Sequence, residues 1–196
     1  MAIISGKSNY GLLDYCAKQL GRPYWFGTSG QISTQTLYNT KKSQYPSYYS
    51  ASDFKNQIGV KVHDCMGLIE GYIWSDDPDA PAKFASNGFP DYSADGFYKH
   101  CTRKGTDMNK MPDIPGLAVF IYDPAKGRYT HVGVYVGNGE VIEARGHAYG
   151  VVRTKFAGRG WTAWAYIDEI EYKSKANIEA EKKNLKPEKQ YCVGLR

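Results

Sequence analysis

Residues 131–144 read HVGVYVGNGEVIEA, alternating β-branched or aromatic residues with small or polar ones around a Gly-Asn-Gly centre. A period of two on both sides of such a turn signal is the pattern of a β-hairpin with one face in a core. If residues 137–139 form a three-residue loop, Gly133 lies opposite Glu143. His131, Gly133, Glu143 and Arg145 then share one face, and Val132, Val134, Ile142 and Ala144 share the other. The apolar set belongs to the core. The polar set is expected to face a cleft, with Gly133 leaving His131 open to approach. A two-residue loop would shift the pairing by one and put His131 opposite Ala144, so the reading depends on loop length.

Outward from the hairpin, GLAVFIY (116–122), YGVVRTK (149–155) and TAWAYI (162–167) are further short β-rich runs bounded by turn residues. Upstream of Pro115 the patterns are helical. Residues 8–20 carry a stripe of Leu13, Cys16, Ala17 and Leu20, with Ser8 or Asn9 as cap and Gly21 as stop. CMGLIEGYIW (65–74) predicts a helix with Met66, Ile69, Tyr72 and Ile73 inward, and residues 92–102 a shorter one. Helices first and strands afterwards predict an α+β fold, with N-terminal helices packed on a C-terminal antiparallel sheet. Residues 28–62 are polar and tyrosine-rich without sustained period. A loop of that length is functional or holds short elements of its own.

A chain of 196 residues with 42% hydrophobic and 23% charged residues fits one domain with a real core. The expected division is a domain over 1–172, carrying the 28–62 segment, and a polar tail or linker over 173–196. Of the net charge of +5, the tail holds +4 (seven Lys/Arg against three Asp/Glu), so the body is nearly neutral. That argues against a nucleic-acid partner. The N-terminus lacks the long apolar segment of a signal peptide and no run reaches membrane-spanning length, so neither an export signal nor an integral membrane segment is expected. Cys16, Cys65, Cys101 and Cys192 are widely spaced with no CxxC pair, which argues against a zinc finger or a disulfide scaffold. His100 and Cys101 adjoin without a further ligand at metal-like spacing, so no metal and no cofactor is expected.

Cys65 is the sharpest chemical feature. Asp64 can cap the helix that follows and put Cys65 in its first turn, where unpaired N–H groups favour a thiolate and can receive an oxyanion. A lone cysteine is more often buried and inert; a histidine on a downstream strand makes the nucleophile reading the stronger one. His63 is expected to be a structural or turn residue, and Cys16 a core residue.

Four ordered motifs carry a resemblance. HDCMGLIEGYIW (63–74) resembles the DCSGL(V/I) nucleophile motif of NlpC-type bacterial cell-wall cysteine peptidases, and THVGVYVGNGEVIEA (130–144) resembles their HVGIYxGxGxxIxA motif. LDYCAKQLGRPYWFG (13–27) is similar to their opening helix and GxPYxxG turn, and PGLAVFIY (115–122) to the strand written GDLVFF. The resemblance implies a papain-like fold and hydrolysis of peptidoglycan stem peptides, typically beside γ-linked D-glutamate. It implies Cys65 as nucleophile, His131 as general base, Tyr24 at the oxyanion site and Glu143 as the residue that orients the imidazole. His147 is the rival for that last role. Relatives often hold His, Asn or Gln at the third position; a carboxylate there would favour a thiolate–imidazolium pair. Two more departures are Met66 for a small residue and the long 28–62 segment, whose Tyr38, Tyr45, Tyr48 and Tyr49 are expected to form a lip over the cleft. The alternatives are an N-acetylmuramoyl-L-alanine amidase and a non-catalytic wall-binding module. With no leader evident, delivery by a phage, by lysis or within a larger secreted protein is expected.

Overall fold

The computed structural model describes residues 2–77, 79–177 and 179. Helix α1 (Asn9–Lys18) starts where the Ser8 side chain accepts a hydrogen bond from the Gly11 N–H. Its buried residues are Asn9, Leu12, Tyr15 and Cys16, whereas Ala17 and Leu20 of the expected stripe are exposed. The face is rotated because two polar groups on it find internal partners. Asn9 Nδ2 donates to the Pro115 carbonyl at 3.0 Å, and the Tyr15 hydroxyl lies 2.9 Å from His63 Nε2. A count of apolar residues alone misses such a face.

Residues 28–62 are not an unstructured loop. They form β1 (Ser29–Ile32), α2 (Gln35–Gln44) and β2 (Lys61–His63), with β1 and β2 paired antiparallel. Trp25, Tyr49, Phe54 and Val62 bury together as a small core of their own, against which Phe26, Leu37, Tyr38 and Tyr45 pack. The aromatic richness of the segment is therefore spent mainly on packing.

Helix α3 (Gly67–Ile73) is buried along its whole length, including the four residues expected inward around it. Its first residue has to be glycine. A Cβ on Gly67 would sit 1.9 Å from the Thr28 carbonyl oxygen and 2.8 Å from Ser29 Cα. The helix thus lies directly on the backbone that enters β1. Glu70 is buried within it, receiving hydrogen bonds from Ser29 Oγ at 2.7 Å and the Tyr92 N–H at 2.8 Å. Helix α4 (Ala94–His100), capped by Ser93, matches the third expected helix.

Strands β3 (Lys104–Gly105), β4 (Ala118–Asp123), β5 (Arg128–Gly137), β6 (Glu140–Ala144), β7 (Val151–Lys155) and β8 (Ala163–Ala165) form one sheet in the order β3-β8-β4-β5-β6-β7. Every neighbouring pair is antiparallel. On one face Phe120, Val132, Val134, Ile142 and Ala144 pack with Leu12, Ile69 and Phe97 of the helices. On the other, Leu117, Val119, Tyr135, Val141 and Trp161 form a second cluster. The architecture is α+β, helices first and sheet second.

The β5–β6 turn differs from expectation in an instructive way. Gly137 pairs with Glu140, so the loop is the two residues Asn138 and Gly139, both with positive φ (53° and 70°). Asn-Gly is the preferred pair for such a turn. Yet Tyr135 pairs with Val141 and Val134 with Ile142, a register shifted by one from the turn. A bulge at Val136 absorbs the difference. Gly133 therefore does lie opposite Glu143, and His131 and Glu143 share one face as expected although the loop length differs. Against expectation, that face lies under Trp161 and does not line the Cys65 cleft.

Cys16 and Cys101 are buried free thiols, and Cys65 is half-buried. Cys192, and the tail over 180–196, lie outside the described residues. Among the described residues no helix is long and apolar enough to cross a membrane.

Candidate active site

Asp64 organises the turn ahead of α3. Its carboxylate accepts from the Gly67 N–H at 2.7 Å and from the Gly27 N–H at 2.8 Å, and its carbonyl accepts from Leu68 N–H at 3.2 Å. These are the bonds of a capping residue, although the regular helix starts only at Gly67. The second bond ties the turn of GRPYWFG to the turn that holds Cys65. Burial pushes the Asp64 carboxyl up to about 6, against the hydrogen bonds that favour its ionised form.

Cys65 lines a cleft of about 390 Å³ whose walls include Tyr24, Phe26, Tyr48, Tyr92 and Tyr129. The backbone N–H groups of Val132, Met66 and Cys65 itself lie close enough to its sulfur to favour the ionised form. The thiol therefore rests against the peptide that joins His131 to Val132. Its ionisation runs against the thiolate expected from the helix terminus: burial, and then the neighbouring Asp64 charge, push the thiol well above its ordinary value. Desolvation of the sulfur outweighs three backbone donors and a helix of only seven residues. Tyr24 is pushed upward for the same reason, burial first and the nearby Cys65 second, and so keeps its proton as a donor.

His131 Nε2 donates to Glu143 Oε2 at 2.6 Å. Glu143 is fully buried. Its Oε1 accepts from Thr154 Oγ1 and from Arg159 Nε, each at 2.7 Å, and its Oε2 accepts a second bond from the Arg159 guanidinium at 2.5 Å. Burial opposes the charge, but the hydrogen bonds from Arg159, His131 and Thr154 prevail and hold the carboxyl down at about 2. Trp161 lies parallel to the imidazole, 19° between planes and 5.7 Å between centroids, and Arg159 covers the same indole at 5.4 Å.

Trp161 corrects the expectation for Gly133. The space beside Gly133 is filled: a Cβ there would come within 2.7 Å of Val141 Cγ1 and 2.9 Å of the Trp161 ring. The glycine admits the indole that covers His131, not a substrate. His147 sits elsewhere, 2.7 Å from Asp53 and stacked on Phe54 at 4.2 Å. Of the tyrosines expected as a lip, Tyr48 lines the cleft, stacked on Phe26 at 3.8 Å, while Tyr49 is fully buried. His63 is a buried residue held by Tyr15, and burial lowers it to about 3.

Solved structures share this arrangement of helices and sheet. NlpC1 from Trichomonas vaginalis aligns with a TM-score of 0.50 and 21% identity over 83% of this chain and 46% of its own. The P60 domain of an M. avium subspecies paratuberculosis antigen aligns with a TM-score of 0.51 and 22% identity over 84% of this chain and 96% of its own. This is the papain-like NlpC/p60 fold. NlpC2 from Trichomonas vaginalis gives a TM-score of 0.50 at 20% identity, over 83% and 50% of the two chains. The chain spans about half the length of each Trichomonas protein and nearly all of the P60 domain. No family model and no curated protein matches the sequence. Within the NlpC/p60 fold, Arg159, Thr154 and Trp161 are the site residues that sequence reasoning missed. Thr154 had a signal in the alternation of β7, two residues beyond Val152, which pairs with Glu143. Arg159 and Trp161 lie in GRGW (158–161), a turn with no period to read.

Proposed function

We propose that the chain is a cysteine peptidase of the NlpC/p60 family that hydrolyses peptidoglycan stem peptides. The observation that carries the reading is the 2.6 Å bond from His131 Nε2 to a buried, ionised Glu143, with Cys65 against the next peptide of the same strand. Glu143 fixes the imidazole tautomer with its proton on Nε2, which leaves Nδ1 as the base. The thiol rests neutral, so His131 takes its proton as sulfur attacks the scissile carbonyl, and no standing ion pair is required. The Tyr24 hydroxyl, kept protonated by burial, is the side-chain donor for the oxyanion, beside the N–H groups at Cys65. Collapse breaks the C–N bond, and the imidazolium proton leaves on the amine. Water then attacks the thioester, gives a proton to His131, and releases the acid and the thiol.

The motif resemblance points to the bond between γ-linked D-glutamate and the diamino acid. Mass spectrometry of digested defined muropeptides tests this. A newly freed amine on the diamino acid is the expected product. A freed L-alanine amine would instead assign an N-acetylmuramoyl-L-alanine amidase, and intact muropeptides would leave a wall-binding module.

A further inference from the structure

We propose that Arg159 is a positioning residue for the Cys65–His131 reaction: it clamps Glu143 as an ionised acceptor that fixes the imidazole edge, and it covers Trp161, which fixes the imidazole face. The proposal rests on the peptidase reading but is carried by separate geometry. Arg159 reaches neither the sulfur nor the cleft wall. It touches both groups that hold His131, through two hydrogen bonds to Glu143 and a cation–π contact with Trp161. A carboxylate this buried does not stay charged on an imidazole and a hydroxyl alone, since desolvation favours its neutral form. A planar guanidinium that binds both oxygens supplies the missing counter-charge in fixed geometry. The groups facing Glu143 are few. They are His131 from β5, Thr154 from β7 and Arg159 from the following turn, with Tyr149 facing Arg159 in its turn. Arg153, on the same strand as Thr154, is engaged by Glu140 at 3.3 Å. Arg159 is what makes a buried acid workable beside His131.

The test compares wild type, Arg159→Met, Arg159→Lys, Glu143→Gln and the double variant Glu143→Gln/Arg159→Met. Two readouts are the Glu143 side-chain carboxyl titration, followed by 13C NMR without substrate, and steady-state kinetics on a defined muropeptide. In Arg159→Met the carboxyl titration moves up by about two pH units or more, and kcat falls about tenfold or more with KM little changed. Arg159→Lys keeps the carboxyl ionised and recovers part of kcat. The double variant buries no unpaired charge, so it folds even if Arg159→Met does not. Its kcat falls below that of Glu143→Gln by much less than Arg159→Met costs the wild type, the remainder being the lost cover of Trp161. An unmoved carboxyl titration in Arg159→Met overturns the proposal. So does a double variant slower than Glu143→Gln by the factor that Arg159→Met costs the wild type. If wild type cleaves no muropeptide, the peptidase reading falls, while the carboxyl titration still decides the role of Arg159.

Discussion

Glu143 concentrates the electrostatics of the site in one side chain. Its folded-state ionisation near 2 lies below the ordinary 4.5, so its contribution to stability is complete above pH 4.5 and is lost as the pH falls towards 2. The difference amounts to about 3 kcal/mol. Thermal unfolding followed between pH 5 and pH 2.5 should show this acid loss in the wild type and a shallower one in Glu143→Gln. At neutral pH the same substitution strands the Arg159 guanidinium and is expected to cost about 3 kcal/mol. Asp64 works in the opposite sense on the sulfur, because its charge raises the thiol. Asp64→Asn removes that charge and one of two acceptors for Gly27 and Gly67. Alkylation of Cys65 by iodoacetamide at pH 7, read on the Cys65 peptide by mass spectrometry, should speed up several-fold, with a stability loss of roughly 1–3 kcal/mol. An unchanged alkylation rate would show that the Asp64 charge does not reach the thiol.

At the scale of elements, α3 and the β5–β6 hairpin set the site. Glu70, buried in α3, is pushed up to about 8, chiefly by burial. An acid raised in the fold is most stable in its neutral form: its contribution is complete below pH 4.5 and fades as the pH rises through 8. Glu70→Gln mimics the neutral form and should flatten that alkaline loss, by on the order of a few kcal/mol, in denaturant melts from pH 5 to 9. In the hairpin, Gly133→Ala drives a methyl into Val141 and Trp161. The expected result is a loss of roughly 1–3 kcal/mol from overpacking, with a changed Trp161 fluorescence and a lower kcat as the indole leaves the imidazole. The hairpin also shows what a sequence can carry. The strand alternation of HVGVYV and EVIEA was legible because burial enforces it, and it placed Glu143 beside His131. The Val136 bulge was not legible, because an inserted residue leaves the flanking alternation intact. Likewise the buried face of α1 was misread because Asn9 and Tyr15 are satisfied by partners far along the chain, at Pro115 and His63.

For the whole molecule, the order of elements in the sequence was enough to give helices packed on an antiparallel sheet, since each apolar stripe needs a second layer to cover it. What stayed hidden was the second cover. Trp161 and its neighbours cover the outer face of the sheet, so the polar strip bearing His131 and Glu143 lies under an indole, with Glu143 fully buried and His131 half-buried. The 28–62 segment brings its own small core beside the cleft and sends one aromatic, Tyr48, into its wall. Because Tyr48 is half exposed, Tyr48→Ala should leave the melting temperature nearly unchanged. It should raise KM for muropeptides several-fold if the wall binds substrate, and leave KM unaltered if it does not. The central claim is that Cys65 performs the chemistry on stem peptides. Its most direct test is incubation of wild type and Cys65→Ala with a defined muropeptide, followed by mass spectrometry of the products. The predicted result is cleavage at the γ-D-glutamyl bond by the wild type and none by Cys65→Ala; cleavage by Cys65→Ala at the wild-type rate would contradict it.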